Sequence, residues 1–313
     1  TWHAMGQGAT TGSLVVTLEA LKEMHLTPED IQLIQNDTKT CPDTGMAGAS
    51  RSLYMDGNAT IIAANKLLAA MRKEDGTLRT YDEMKAEGIE TKYLGRYETN
   101  TTPGLCRLDP NTGIGDPTPA FTYCLNLAEV EVDTKTGKTT VLKFTCVDFV
   151  GRIGNIDAVN GQAYSGIMHG IGFALKEDYA DVKKHANMFG AGTSYIKDVP
   201  DDINLIHIDG AISDGPFGSS GASEAFQASG HCAVLNGIYN ACGVRIHEIP
   251  ALPEKVKAGL DAIAKGEKPY EPKKYFLGSD MYEELENIKE NPVQVGTQSF
   301  YVPLDDPTAE RPF

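Results

Sequence analysis

The 313-residue chain has no run of about eighteen apolar residues, the length a membrane-spanning helix needs, and no series of charged, apolar and small residues that marks a secretory signal. The segment therefore carries neither a membrane nor an export address, and a cytoplasmic location is expected. Basic residues are scarce: 28 Lys and Arg stand against 43 Asp and Glu, a formal net charge of −15. The acidic residues are scattered, with denser groups over 282–290 and 305–310. Such a surface repels phosphate backbones, which argues against nucleic acid as a partner. None of the six cysteines, Cys41, Cys106, Cys124, Cys146, Cys232 and Cys242, belongs to a C-x-x-C pair. A zinc or iron–sulfur site built by this chain alone is not expected, and buried free thiols are. No internal repeat or low-complexity tract is present.

What is there suits a folded chain with one or two substantial cores, since 41% of the residues are apolar. Thr1–Met5 has the pattern of a strand end running into a glycine turn with no leader before it, so an upstream segment is expected. Leu14, Leu18 and Leu21 have helical spacing within 13–24, and Thr27-Pro28-Glu29-Asp30 resembles a helix start before 31–34. A loop over 36–52 precedes a long helix over 56–71. The stretch 73–119 is polar and broken by Gly and Pro, with a short helix over 80–87. Alternation over 121–132 and 139–148, on either side of Asp133–Gly137, predicts an antiparallel hairpin. Glycines within a helix over 162–175 allow close backbone packing. A short strand over 205–209, one helix over 224–242 and an amphipathic helix over 254–264 follow. Two domains are expected: residues 1–265, and a proline-rich extension over 266–313, helical at 279–289, that would lie as an arm on a partner.

Three loops hold the candidate chemistry. Met5-Gly6-Gln7-Gly8-Ala9-Thr10 stands before a helix, where free N–H groups and the helix dipole suit an anion such as phosphate, although a plain glycine turn has the same signature. Thr44–Ser52 offers two hydroxyls and a guanidinium beside a helix start, which also suits a helix cap. In Gly215–Glu224, glycines at 215, 218 and 221 let the backbone approach a ligand, and Glu224 arrives in the first turn of an apolar helix. Desolvation would raise that carboxyl and the helix N-terminus would lower it, leaving an ionised, poorly solvated base; a helix-capping glutamate is the alternative.

Taken in order, Met5-Gly6-Gln7-Gly8, Ala49-Ser50-Arg51-Ser52, Gly161-Gln162 to Gly170-Ile171-Gly172, and Gly215-Pro216-Phe217-Gly218 to Glu224 resemble the molybdopterin-binding region of the xanthine oxidase superfamily. Asp181–His185, Gly190–Gly192, Ile196-Lys197 and Gly243–Lys255 resemble the C-terminal text of its bacterial aldehyde oxidoreductases, so the resemblance spans roughly 1–260. It implies an α+β fold of mixed sheets and packed helices in two intertwined subdomains, forming the second half of a molybdenum subunit. The cofactor implied is molybdenum–molybdopterin, in the cytosine dinucleotide form, with the metal held by the pterin and by no protein side chain. Gln7 would sit beside the metal's oxo group or the pterin, Gly6, Gly8, Ala9 and Thr10 near the dinucleotide phosphates, and Ala49, Ser50, Arg51 and Ser52 against the pterin and its phosphate. Ser223 would line the pocket of Glu224, the catalytic base. His169 stands where the family has a pterin-bonding glutamine, and a ring nitrogen can serve there with fewer hydrogen bonds.

The implied reaction is oxidation of an aldehyde to a carboxylic acid with oxygen from water. Ala225-Phe226-Gln227 replaces the family's proline-containing run, which leaves hydroxylation of an aromatic N-heterocycle, such as a nicotinate or purine, as the alternative substrate class. A non-catalytic scaffold subunit is the alternative of another kind. The family's iron–sulfur modules and the upstream half of its molybdenum region do not occur in these residues. The resemblance therefore implies partners that carry [2Fe-2S] clusters, the upstream half and a flavin subunit.

Overall fold

A computed structural model describes residues 2–269 apart from 36, 100–108, 110, 111, 114, 116, 117, 119 and 182, together with Glu290. The chain divides into Thr1–Pro269 and Tyr270–Phe313. The expected helix at 279–289, and the arm from 270 on except Glu290, lie outside the described residues.

The two alternating stretches form β1 (Tyr123–Val132) and β2 (Thr139–Phe149), antiparallel from Tyr123 opposite Phe149 to Val132 opposite Thr139. Their turn is closed by Asp133, whose carboxylate accepts hydrogen bonds from the Lys135 N–H and the Thr136 hydroxyl. The expected strand over 205–209 falls instead at β3 (Asp202–His207), which pairs with β2 in parallel, so the sheet is mixed with order β1-β2-β3. A parallel pair needs a long crossover. The connection contains helix α4 (Ile156–Leu175), whose buried residues Ala163, Ile167, Ile171 and Ala174 share a core with Phe144 and Cys146 of β2. This helix starts six residues before the expected 162 because the Asn155 side chain accepts from the Ala158 N–H and caps it.

The single helix expected over 224–242 is two, α5 (Ser223–Ala228) and α6 (Gly230–Cys242), separated by Ser229 at φ −126°, ψ 1°. The Asn126 amide donates to the Ser229 hydroxyl at 2.9 Å and ties this break to β1. Both pieces press on α4 where it has no side chains. A Cβ on Gly170 would lie 2.9 Å from the Gly230 Cα, and one on Gly166 would lie 2.6 Å from the Phe226 Cβ. Phe226 and Val234 complete the main core, while α7 (Pro253–Ala264) adds Val256 to a smaller one with Ile238 and Val244.

The remaining helices, numbered by their place in the chain, are α1 (Ala9–Ala20), α2 (Ser52–Met71) and α3 (Tyr81–Ala86). Trp2, Ala9 and Val16 pack with Leu53 and Ile61 of α2, and Thr80 caps α3 through a capping box with Glu83. The helix start at Thr27 forms its capping box with Asp30 but yields only one turn of 3-10 helix, Pro28–Asp30. Ile31 is already extended, and the few residues before the Asp37 turn cannot repay helix nucleation. Among the described residues no helix is long and apolar enough to cross a membrane.

At one end of the sheet the buried Asp148 of β2 meets the half-buried His207 of β3. Asp148 Oδ2 lies 2.7 Å from His207 Nδ1, His207 Nε2 lies 2.8 Å from Asn160 Oδ1, and Asp148 Oδ1 has no hydrogen-bond partner among the described residues. Burial raises the Asp148 carboxyl above the ordinary carboxylate range, against the opposing pull of His207. The folded form thus binds this proton more tightly than the unfolded chain does. The group favours folding below the ordinary carboxylate range and loses that contribution as pH rises through its raised value. Replacing His207 by alanine strands the carboxylate and is expected to cost about 3 kcal/mol at neutral pH. Urea unfolding at neutral and acid pH checks this, because the loss should shrink once Asp148 is protonated; an equal loss at both would sink the argument.

Candidate functional site

The helices α1, α2, α4 and α5 begin at the wall of one cavity of about 890 Å³. Gly8 starts α1, Ser50 and Ser52 flank the start of α2, Asn155 starts α4 and Ala222 starts α5, and all of them line it. The Asn155 side chain caps α4, whereas α1 and α2 have no side-chain cap. Uncapped helix starts leave N–H groups unsatisfied and carry partial positive charge, the environment an anion needs. Arg152 adds a full positive charge. It lines the cavity beside Ile153 and Gly154, is exposed, and its guanidinium has no partner among the described residues. Lys22 lines it too, paired with Glu19 at 3.0 Å.

Two distant loops meet at Glu224. Ala49 and Ser50 take the left-handed conformation, φ 51° and 52°, which is uncommon and strained for residues with a Cβ. That turn brings the Ser50 hydroxyl onto Glu224, where it donates to Oε2 and accepts from the backbone N–H, each at 3.1 Å. Gly221 permits the approach: a Cβ there would fall 1.6 Å from the Ser50 carbonyl oxygen. The glycine loop is held in turn by the Gly218 carbonyl, which accepts from the N–H groups of Arg152 (2.9 Å) and Ile212 (3.0 Å).

Of the residues expected at a site, Gln7, Gly8, Ala9, Ser50, Ser52, Ser223 and Glu224 line the cavity, and Gly6, Thr10, Ala49, Arg51 and His169 do not. The Gln7 amide is engaged within its own loop, accepting from the Met5 N–H and donating to the His3 carbonyl, both at 2.6 Å. The Thr10 hydroxyl donates to the Gln35 side chain at 2.9 Å. Burial raises the Asp56 carboxyl, and Arg51 is among the positive charges that oppose it. The half-buried His169 ring stacks on Phe173 with centroids 6.4 Å apart. Helical spacing puts His169 on the same face of α4 as Gln162, two turns before it, and Gln162 does line the cavity. Glu224 is exposed, so this chain does not supply the desolvation expected around it. Arg152, Asn155 and Gln162 were not singled out from the sequence as site residues. Only Gln162 had a signal, its place in the Gly161-Gln162 motif. Among the described residues no group of three or more His, Cys, Asp or Glu is placed to hold a metal ion.

Residues 1–200 match the family model for the molybdopterin cofactor-binding domain. The chain is 42% identical over 261 residues to the aldehyde oxidoreductase of Megalodesulfovibrio gigas, covering 83% of this chain and 28% of that protein. It is 28% identical over 277 residues to a probable hypoxanthine oxidase of Escherichia coli (strain K12), covering 83% of this chain and 29% of that protein. The crystal structure of the aldehyde oxidoreductase from Desulfovibrio desulfuricans superposes with a TM-score of 0.77 at 44% identity, over 82% of this chain and 28% of the other. The chain thus spans less than a third of the length of each of these proteins.

Proposed function

Because the chain belongs to the molybdopterin cofactor-binding family shared by the xanthine oxidase-type oxidoreductases, we propose that its cavity grips a molybdenum–molybdopterin cofactor and presents Glu224 to the substrate of a molybdenum hydroxylase. The observation that carries this reading is the uncapped starts of α1 and α2 and the unpartnered Arg152 on one wall system. Such a wall fits a phosphate-bearing group, and a volume near 890 Å³ admits one of dinucleotide size, for which the cytosine form is proposed. When bound, the group supplies two-electron oxidation with oxygen drawn from water.

The chain's own residues then have separate tasks. Gly6, Gly8, Ala9 and Thr10, at the start of α1, together with Arg152, hold phosphate. Ala49, Ser50, Arg51 and Ser52 stand against the pterin, as do Gln7 from the first loop and His169 on the Gln162 face of α4. Ser223 lines the substrate side. Glu224 accepts the proton released as the water oxygen joins the substrate carbon, and the Ser50 hydroxyl on Oε2 fixes the carboxylate for that transfer.

An aldehyde, oxidised to its carboxylic acid, is the proposed substrate, supported by the 42% identity to an aldehyde oxidoreductase. The likeness to a probable hypoxanthine oxidase supports the second reading, an N-heterocycle. The remaining length of those relatives supports partner segments here: an upstream half of the molybdenum region, a [2Fe-2S] subunit or domain and a flavin subunit. We place the assembly in the cytoplasm, with residues 1–265 as its cofactor domain and 266–313 as the partner-contacting arm.

Metal and nucleotide analysis of the complex purified through this chain tests the reading. Stoichiometric molybdenum and cytidine nucleotide are expected, and their loss in Arg152→Ala with the fold retained. A complex without metal or pterin would make the chain a scaffold subunit instead. Turnover of aldehydes against N-heterocycles by the same complex decides the substrate class.

A further inference from the structure

Cys124 and Cys146 lie beneath the sheet as diagonal neighbours, since Cys124 is opposite Asp148 and Asn126 is opposite Cys146. Both are free thiols, with Sγ atoms 3.4 Å apart. A disulfide bond is about 2.05 Å long, so the sulfurs must approach by little more than 1 Å, and the two strands must shift with them. Cys146 is fully buried, whereas Cys124 is half-buried on an edge strand of the described sheet and is the thiol an oxidant can reach. The hydrogen bond from Cys146 lowers the Cys124 thiol, and the same pairing together with burial raises Cys146, so the accessible sulfur is also the one more readily ionised. Diagonal Cα atoms in a sheet stand about 7–8 Å apart, beyond the usual span of a disulfide. A bond made here is strained and easily reduced.

The pair sits on a short path to Glu224. The Cys124 thiol faces the Asn126 side-chain oxygen at 3.7 Å, and the Asn126 amide holds Ser229, the residue that ends α5. We infer that Cys124 and Cys146 form a reversible dithiol–disulfide site, oxidised by a hydroperoxide, whose closure loosens the helix that carries Glu224. The Cys124 thiolate attacks the peroxide oxygen; the O–O bond breaks, Cys124 becomes a sulfenic acid, and the leaving oxygen departs as water or alcohol with the Cys124 proton. The Cys146 sulfur then attacks the Cys124 sulfur. The S–S bond forms, the S–O bond breaks, and hydroxide leaves as water with the Cys146 proton. The two electrons lost by the thiols are those gained by the peroxide. Closure removes the Cys124 S–H donor from Asn126 and draws that sulfur toward β2, away from the hold on Ser229. The bond itself is independent of the role proposed for Glu224, and only an effect on turnover rests on that role.

The test uses the full chain treated with hydrogen peroxide, digested without reduction and mapped by mass. The expected product is a linked pair of peptides containing Cys124 and Cys146, lighter by two hydrogens. Amide exchange over 225–229 should rise about fivefold or more in the oxidised protein and return with dithiothreitol. A Cys146→Ser variant should instead accumulate Cys124 sulfenic acid, captured by dimedone. Absence of the linked pair, with Cys124 untouched or taken singly to sulfinic acid, overturns the inference, as does a linked pair with unchanged exchange over 225–229.

Discussion

Glu224→Gln is expected to leave cofactor content unchanged and to lower turnover about 10²–10⁴-fold, the usual worth of a general base. Glutamine keeps the length and shape of the side chain, and its amide oxygen can still accept from the Ser50 hydroxyl that now donates to Oε2. The backbone N–H of residue 224 keeps its bond to the same hydroxyl. The loop-to-loop contact therefore survives, and what disappears is the ability to take a proton. The measurement is kcat set against molybdenum content per chain, so that lost chemistry and lost cofactor are separated. Wild-type turnover in a metal-replete variant would reject Glu224 as the base.

Gly221→Ala is expected to act through structure. Its Cβ would stand 1.6 Å from the Ser50 carbonyl oxygen and 2.7 Å from the carbonyl carbon, both backbone atoms, so no side chain can rotate away. One of the two loops must retreat, at a cost of about 1–3 kcal/mol or more. Retreat releases Ser50 from its left-handed turn and Glu224 from its hydroxyl partner together. The expected outcome is a lower unfolding midpoint and loss of most of the bound cofactor. Gly161→Ala is the matched control, since Gly161 is helical in α4 with nothing within 4 Å of the added Cβ, and it should be neutral or slightly stabilising. Equal cofactor loss in both variants would show that the Gly221 approach is not what shapes the cavity.

The parts of the fold set by local pattern were legible in the sequence. Alternation gave β1 and β2 nearly to the residue, and the run of Ala, Leu and Ile gave α2. Parts fixed by distant partners were not. The local mark of a break at Ser229 is only the Ser229-Gly230 dipeptide, while the polar group that holds it there belongs to Asn126, 103 positions away. Neither the start of β3 at Asp202 nor its parallel pairing with β2 follows from its own six residues. The site divides the same way. The glycine loops announced where backbone comes close to something, and Gly8, Ser50, Ser52 and Glu224 do face one cavity. Arg152 lacked any pattern of its own, since its place in the wall is set by the bond from its backbone N–H to Gly218 in a distant loop. The Thr10 hydroxyl turns to Gln35, a partner 25 positions away that nothing beside Thr10 announces, which leaves its backbone N–H to face a ligand.

The contact between Ser50 and Glu224 joins residues 174 apart in the chain. Closures of that span come slowly in folding, after the hairpin and the local helices. A chain leaving the ribosome therefore has the walls from α1, α2 and α4 before it has the glycine loop and Glu224 that complete the cavity. On the proposed reading, delivery of the cofactor follows the making of residue 224, because a stall before it yields helices and a hairpin without the wall that Glu224 closes.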